Sequence, residues 1–435
     1  MAGGDFRTGR FARLGKLGAA ALGASSRYLG DRVVDAVRQA EARQQAHSDR
    51  LSSAGARLAE TMGELKGAAM KLGQMLSVDN EVLPPEMRKA LAVLQRQAPP
   101  MPFSQVRSLV EERLGEPIEA VFLELEEQVL GAASLGQVHG ATLLDGRRVA
   151  VKVQYPGIAG TIRSDMSNLR AVLKLTPIPG LKGRVDEYIA EISDVFAGEA
   201  DYLREANHLT IFGGFAETID EVVVPKPVLE LCRSDLLVMD RLDGRLLKDA
   251  WESMTPDECN AMGARFVEFF AQTFHHHHWI YGDPHPGNFL CLDSGELGIL
   301  DFGCARQIEG SRTHGYLRLL QAMWTNDRQG LVDQYVELGF AGGERVVAPD
   351  ELFEFNRIAL APFMVDEPFD WGAWSFRDQL QSFFIKHPEL LRFSPPADDL
   401  LYLRMVSGLR GILHDGSVKL NVRARAERLV DDYLP

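Results

Sequence analysis

Cysteine is scarce. The chain has four in 435 residues, Cys232, Cys259, Cys291 and Cys304, with no C-x-x-C pair. That spacing excludes a disulfide framework and a cysteine zinc site. The thiols read as reduced, buried side chains of a cytosolic protein. Long apolar runs are also missing: none approaches the ~18 to 20 residues that span a bilayer. The opening residues have no apolar core segment of the kind a signal peptide needs. Basic charge is in deficit, with 47 Lys and Arg against 61 Asp and Glu and a net charge of −14. An acidic chain lacks the positive field that a phosphate backbone requires, so nucleic acid is excluded as the main partner.

What is there suits a folded chain of two or three packed units. Hydrophobic residues make up 46% and charged residues 25%, the ordinary balance of a globular protein. Residues 1–30 differ from the rest. Arg7, Arg10, Arg13, Lys16 and Arg27 face only Asp5, with small and apolar residues between them. Three readings stay open: a basic amphipathic segment resting on an anionic membrane, a solvated terminus, or a transit peptide. From Leu58 the apolar residues Leu58, Met62, Leu65, Leu72 and Leu76 mark one helix face. A second helix follows around Met87, Leu91 and Leu94. A third runs through Val106, Leu109, Val110 and Leu114, with Ser104 as its cap and Gly115 past its end.

The period then changes. Residues 136–143 and 148–153 are β-rich, with Asp145-Gly146 as a hairpin turn. One long helix is expected over 184–209, and "PVLELC" with "LLVMDRL" as a strand pair. Helices dominate after Gly244, broken by "FLCL" and "LGIL" as a short hairpin. The spacing predicts an α+β chain: a basic segment 1–57, a helical extension 58–125, a β-rich lobe 126–243 and a helical lobe 244–435.

Chemistry gathers around that hairpin. Asp283-Pro-His-Pro-Gly-Asn288 is a tight loop fixed by two prolines and a glycine, and Asp301-Phe-Gly follows the second strand. The hairpin folds Asp301 back beside Asn288. Their oxygens suit Mg²⁺, a hard cation that also takes phosphate oxygens. Asp283 then faces whatever attacks the phosphate. This is the D-x-x-x-x-N and D-F-G layout of phosphoryl transfer. Upstream, Gly131-Ala132-Ala133-Ser134-Leu135-Gly136-Gln137-Val138 has the register of a phosphate-cradling loop, with Ala133 where the middle glycine belongs. "VAVK" puts Ala150 and Lys152 on a strand, where the lysine grips phosphates better than it packs. Glu205 is its expected carboxylate. Glu199 lies on the apolar stripe of the 184–209 helix, where a charge is costly unless paired, so it needs a second cation. Four imidazoles, His275 to His278, read as a partly packed helix end rather than a metal site, because adjacent helix positions diverge by ~100°.

Lys71-x-Gly-Gln74, "GAASLGQVH", "VAVKVQYPG", "EADYLREA", "DPHPGNF" and "LDFG" together resemble the UbiB/ABC1/ADCK family of atypical kinases, strongly over residues 58–306 and more loosely through "PPADDLLYLRMVSGLRG". The resemblance implies a bilobal protein-kinase-like fold with an N-terminal helical extension. It implies ATP and Mg²⁺ as cofactors, and an unconventional kinase or ATPase supporting ubiquinone biosynthesis at a membrane. By position, Lys71 and Gln74 would belong to a lid and Lys71 would pair with Glu199 and Asp201. Lys152 would bind phosphates and pair with Glu205. Asp283 would be catalytic, with Asn288 and Asp301 as metal ligands. Gly131, Ala132, Ala133, Ser134, Gly136, Val138, Ala150 and Met239 would surround the nucleotide. A lipid or quinone precursor is the implied partner, at a cytoplasmic location with peripheral membrane contact. Gly131 and Tyr281 depart from the pattern, where alanine and histidine are usual. The ending "DDYLP" carries no hydrophobic tail, unlike members with C-terminal spans. The absence of A-P-E after DFG, and a helical run resuming soon after it, argue against a peptide substrate. A small-molecule phosphotransferase and a nucleotide-switched lipid-binding scaffold are the competing functions.

Overall fold

A computed structural model describes residues 101–133, 135–158, 184–340 and 348–434. The expectations for segment 1–57, for the helices around Leu58 and Met87, and for Lys71, Gln74 and Ser134 lie outside these residues.

Helix α1 (Phe103–Leu114) is closed by Gly115 at φ 77°, whose N–H donates to Glu111 O. Its start differs from expectation. The Pro102 carbonyl accepts from Gln105 N and Val106 N, so the helix begins before Ser104 and Ser104 caps nothing. Strands β1 (Phe122–Ala133), β2 (Gly136–Leu143) and β3 (Arg148–Gln154) follow. After β4 (Val222–Val223) comes β5 (Leu236–Asp240). The first sheet runs β1-β2-β3-β5, antiparallel throughout. Gly146, at φ 87°, turns β2 into β3 as the Asp-Gly pair predicts. Strand β1 starts at Phe122, inside the stretch read as helical extension. It escaped the sequence because it is an irregular edge strand with three register shifts and a Glu-rich solvent side. Val106, Leu109 and Val110 of α1 share one core with Val149, Val151 and Val153 of β3 and with Leu236 and Val238 of β5.

The single helix expected over 184–209 is two: α2 (Val185–Glu199) and α3 (Tyr202–Ala216). Asp201 breaks it. Its backbone is extended, and its carboxylate accepts from Leu203 N at 3.1 Å and Arg204 N at 3.4 Å. A side chain that caps a new helix competes with continuing the old one. The single apolar stripe expected over 184–209 therefore does not run across residue 201. "PVLELC" forms no strand either. Pro225 and Pro227 remove ladder donors, leaving isolated bridges Pro227 to Met239 and Arg233 to Leu236 around a short 3₁₀ turn.

The second lobe opens with β6 (Gly244–Leu246) and α4 (Pro256–Ala271). A Thr255–Glu258 capping box starts α4. Strands β7 (Trp279–Tyr281), β8 (Phe289–Leu292), β9 (Leu297–Ile299) and β10 (Ala305–Gln307) form two small sheets, β4-β9-β8-β6 and β10-β7. Then come α5 (Gly310–Trp324), α6 (Arg328–Glu337), α7 (Pro349–Ala359), α8 (Phe376–Lys386), α9 (Leu400–Asp415) and α10 (Arg423–Tyr433). One continuous core joins the lobes: Ala150 and Met239 belong to the same cluster as Phe212, Phe266, Phe269, Tyr281, Phe289 and Phe302.

The four histidines go separate ways. α4 runs into a π-helical turn over Gln272–His276. Burial keeps His275 neutral, its pKa pushed down to about 3. His276 meets Tyr433 Oη at 2.7 Å, and His277 stacks on Phe215. No helix among the described residues is long and apolar enough to cross a membrane.

Candidate active site

Alternation along β3 builds the upper wall of the site. Val149, Val151 and Val153 face α1, so Ala150 and Lys152 face the other way. In register, Lys152 lies between Val138 and Leu237, and Ala150 between Gly140 and Met239. Residues expected around a nucleotide thus occupy neighbouring positions on adjacent strands. The turn between β1 and β2 closes from Ala133 opposite Gly136. A Cβ on Gly136 would overlap the Val153 carbonyl, whereas one on Gly131 would meet open space.

Lys152 Nζ reaches two carboxylates. It lies 2.8 and 2.9 Å from the oxygens of Glu205 and 2.9 Å from Asp301 Oδ2. The ring of Tyr202 sits 5.0 Å from the ammonium. Burial works against the charge on Lys152, but the attraction of Asp301 and Glu205 outweighs it and holds the pKa well above the ordinary lysine value. Glu205 is pushed up to about 7, chiefly by burial and then by the nearby charge of Asp301. Two carboxylates, Glu205 buried and Asp301 partly exposed, share one ammonium, and enclosure makes Glu205 hard to ionise. The Asp201 cap fixes the start of α3 and so the direction in which Glu205 points.

The lower wall is the loop after β7. Asn288 Nδ2 donates to Asp283 O at 3.0 Å, and Gly287 N to His285 Nδ1 at 3.1 Å. These bonds wrap the loop onto itself. β8 and β9 pair Phe289 with Ile299, and Leu300 N donates to Asn288 O at 2.9 Å. The hairpin brings the Asp301 and Asn288 ends of the chain together as expected. Asp301 Oδ1 accepts from Gly303 N at 3.0 Å, leaving Oδ2 for Lys152. Phe302 is fully buried against Phe212 and Tyr281, at 4.7 and 5.3 Å between ring centres. His208 donates to its carbonyl at 2.9 Å.

Glu199 is buried at the end of α2 and accepts from the Cys304 thiol. The Glu199, Asp283 and Cys304 ligand atoms lie within 4.8 Å of one another. A thiol suits a soft metal rather than Mg²⁺. The hard oxygen donors Asn288 and Asp301 are the better match for Mg²⁺. Asp201 does not join this cluster, since its carboxylate caps α3 at the surface. The cleft between the walls is lined by Leu135, Lys152, Glu199, Tyr202, Glu205, Asp301 and Gly303.

Sequence reasoning missed Arg404. Its Nη2 donates to Asp283 Oδ1 from α9. One signal could have exposed it: a lone arginine on an apolar helix face with Leu401, Met405 and Gly408, all buried.

Residues 93–335 match the ABC1 atypical kinase-like domain. The chain is similar to the atypical kinase COQ8B, mitochondrial, of Rattus norvegicus, at 30% identity over 92% of this chain and 76% of that protein. It is 29% identical to the atypical kinase COQ8, mitochondrial, of Saccharomyces cerevisiae, over 75% of this chain and 66% of that one. It spans only 54% of the similar Caenorhabditis elegans atypical kinase coq-8, mitochondrial. Among solved structures, it is similar to the Mycobacterium tuberculosis protein Rv3197 in complex with erythromycin. There the TM-score is 0.61 at 27% identity, covering 90% of this chain and 98% of the other.

Proposed function

Because the chain belongs to the ABC1 atypical kinase-like family, whose kinase-like fold implies ATP and a divalent metal, we propose a specific activity. It binds magnesium–ATP over Lys152 and uses hydrolysis or phosphoryl transfer to support ubiquinone or related isoprenoid-lipid biosynthesis at a membrane. The observation that carries this reading is the bridge from Lys152 on β3 to Glu205 on α3 and Asp301 after β9. A lysine held between a structural carboxylate and a metal-binding one is ready to receive phosphate oxygens in place of Asp301.

The residues divide the work. Asn288 and Asp301 would hold the metal, which when bound neutralises charge on the phosphates. Lys152 binds phosphate oxygens and stays protonated at any working pH. Asp283 orients the attacking oxygen and takes its proton. Gly131, Ala132, Ala133, Ser134 and Gly136 would form the loop that surrounds the phosphates. Val138, Ala150 and Met239, on adjacent strands of one sheet, would contact the base from that side. Lys71 and Gln74 form a lid whose ammonium pairs with Glu199, and Asp201 supports that lid as the cap of α3. The basic segment near the N-terminus makes a peripheral contact with anionic lipid. The names of the rat, yeast and worm relatives support the quinone pathway.

The test is Mg-ATP turnover by wild type and Asp301→Asn, with and without liposomes containing an anionic lipid and a phenolic quinone analogue. Slow turnover that rises with the liposomes and is lost in Asp301→Asn is expected. Equal turnover in both proteins would refute the site, and rates indifferent to liposomes would refute the membrane role. The erythromycin complex of the M. tuberculosis protein favours a second reading, in which the cleft serves a bulky hydroxylated small molecule as phosphoryl acceptor. Phosphate transfer to such an alcohol, faster than hydrolysis, would establish it.

A further inference from the structure

Helix α9 grips the catalytic loop along one face. Leu401, Arg404 and Gly408 are spaced three and four apart, so they stack on a single side of the helix. Each meets a different loop residue. Leu401 Cδ2 lies 2.7 Å from where a Cβ on Gly282 would stand. A Cβ on Gly408 would overlap the ring of Pro284. Between them, Arg404 Nη2 donates to Asp283 Oδ1. The helix is fixed from outside the site as well. Buried Asp399, at its start, accepts from Arg312 Nε and Tyr316 Oη, each at 2.6 Å. The Tyr316 and Tyr402 rings stack 3.7 Å apart.

The burial of Arg404 is hard to explain by packing. Its side chain is 5% exposed, and Nε and Nη1 are buried without partners. A buried guanidinium left with two unused donors costs stability, and an apolar residue of similar volume would fill the space better. Its hydrogen bond from Nη2 goes to the carboxylate that, on the proposed function, would face the reacting oxygen. The immediate neighbours of Asp283 supply no cation to do this, since Tyr281 and Gly282 precede it and Pro284 follows it.

We propose that Arg404 is a positioning residue: carried on α9, its guanidinium holds the Asp283 carboxylate and so fixes the orientation of that carboxylate for the phosphoryl acceptor. This rests on Asp283 being the catalytic-loop carboxylate of a magnesium–ATP site. Arg404 does not line the cleft beside Lys152, so its loss is expected to act on the chemical step and not on binding. A misaimed carboxylate costs on the order of 10²-fold in rate.

The experiment measures kcat and KM for Mg-ATP in wild type, Arg404→Gln and Arg404→Lys of the full chain, with melting curves in the presence and absence of Mg-ADP. Arg404→Gln is expected to lose about 10²-fold in kcat with KM within about twofold, and to keep the melting shift given by Mg-ADP. Arg404→Lys keeps the charge without the planar fork, and is expected to recover about tenfold of that loss. If Arg404→Gln is too unstable to assay, Arg404→Lys decides: unchanged KM with reduced kcat supports the role, and wild-type kcat overturns it. An Arg404→Gln protein with wild-type kcat, or with KM raised and kcat kept, would overturn the role while leaving the site intact. A wild type that neither turns over ATP nor melts higher with Mg-ADP would overturn the kinase reading, and the role of Arg404 with it.

Discussion

Lys152 Nζ stands 2.9 Å from Asp301 Oδ2 while also holding both oxygens of Glu205, so one ammonium ties a helix of the upper lobe to the strand hairpin of the lower. Its position also couples the protonation of Glu205 to the fate of Asp301. Glu205 has a pKa near 7 because it is buried and because Asp301 competes for the same lysine.

Nucleotide binding should therefore release a proton. If a divalent ion neutralises Asp301 and, with it, the phosphates that replace Asp301 on Lys152, the negative charge that raises the Glu205 pKa is relieved and that pKa falls toward the ordinary range. At pH 7 part of the Glu205 population is protonated before binding and less of it afterwards. Titration calorimetry of Mg-ADP in two buffers of different ionisation enthalpy checks this. A fraction of a proton should be released per site at pH 7 and less at pH 8.5. Identical heats in the two buffers would break the link.

The same group sets a pH dependence of stability. The folded pKa of Glu205, about 7, lies above its unfolded value near 4.5. The folded state thus binds the proton more tightly, and this stabilisation is complete below pH 4.5 and lost as pH rises through 7. A shift of that size corresponds to roughly 3 kcal/mol. Without nucleotide, the wild type should lose melting temperature between pH 5 and pH 8 more steeply than Glu205→Gln, which carries no titrating group there. Parallel curves for the two proteins would rule this out.

Two glycines of the phosphate-loop region should respond oppositely to alanine. A Cβ on Gly136 would overlap the Val153 carbonyl, which is backbone and cannot swing aside. Gly136→Ala should cost about 1 to 3 kcal/mol and disturb the strand that carries Lys152, lowering nucleotide affinity too. Gly131 has no neighbour near its Cβ position and no positive φ. Gly131→Ala should be neutral or stabilising by up to about 1 kcal/mol. Chemical denaturation of both variants measures the contrast, and equal destabilisation would contradict it.

Much of the site was legible because its residues sit at fixed short spacings. Asp283 with Asn288, and Ala150 with Lys152, are tied by local backbone geometry. The hairpin linking Asn288 to Asp301 follows from two short apolar runs with Gly295 between them, at φ 90°. Other features depend on competition that no periodicity records. Asp201 lies inside the stretch that reads as one helix over 184–209, yet its carboxylate outcompetes that helix for Leu203 N and Arg204 N. Strand β1 was hidden by the Glu-rich side that an edge strand shows to water. Arg404 lies 121 positions from Asp283, and such a contact is set only when the last long helices pack.

Asp201 offers the cleanest separation of a capping role from a charge role. Its side chain accepts two backbone N–H groups at the start of α3 and is exposed, so its value there lies in accepting hydrogen bonds. Asparagine also caps helices well, whereas alanine does not. Asp201→Ala should therefore lose about 1 kcal/mol of stability and loosen the first turn of α3, on which Glu205 stands. Weaker Mg-ADP binding should accompany that loss. Asp201→Asn should stay within about 0.5 kcal/mol of wild type and keep its nucleotide affinity, since the cap survives without the charge. If Asp201→Asn instead behaved like Asp201→Ala, the negative charge would matter more than the cap, and a cationic partner for Asp201 would have to be sought.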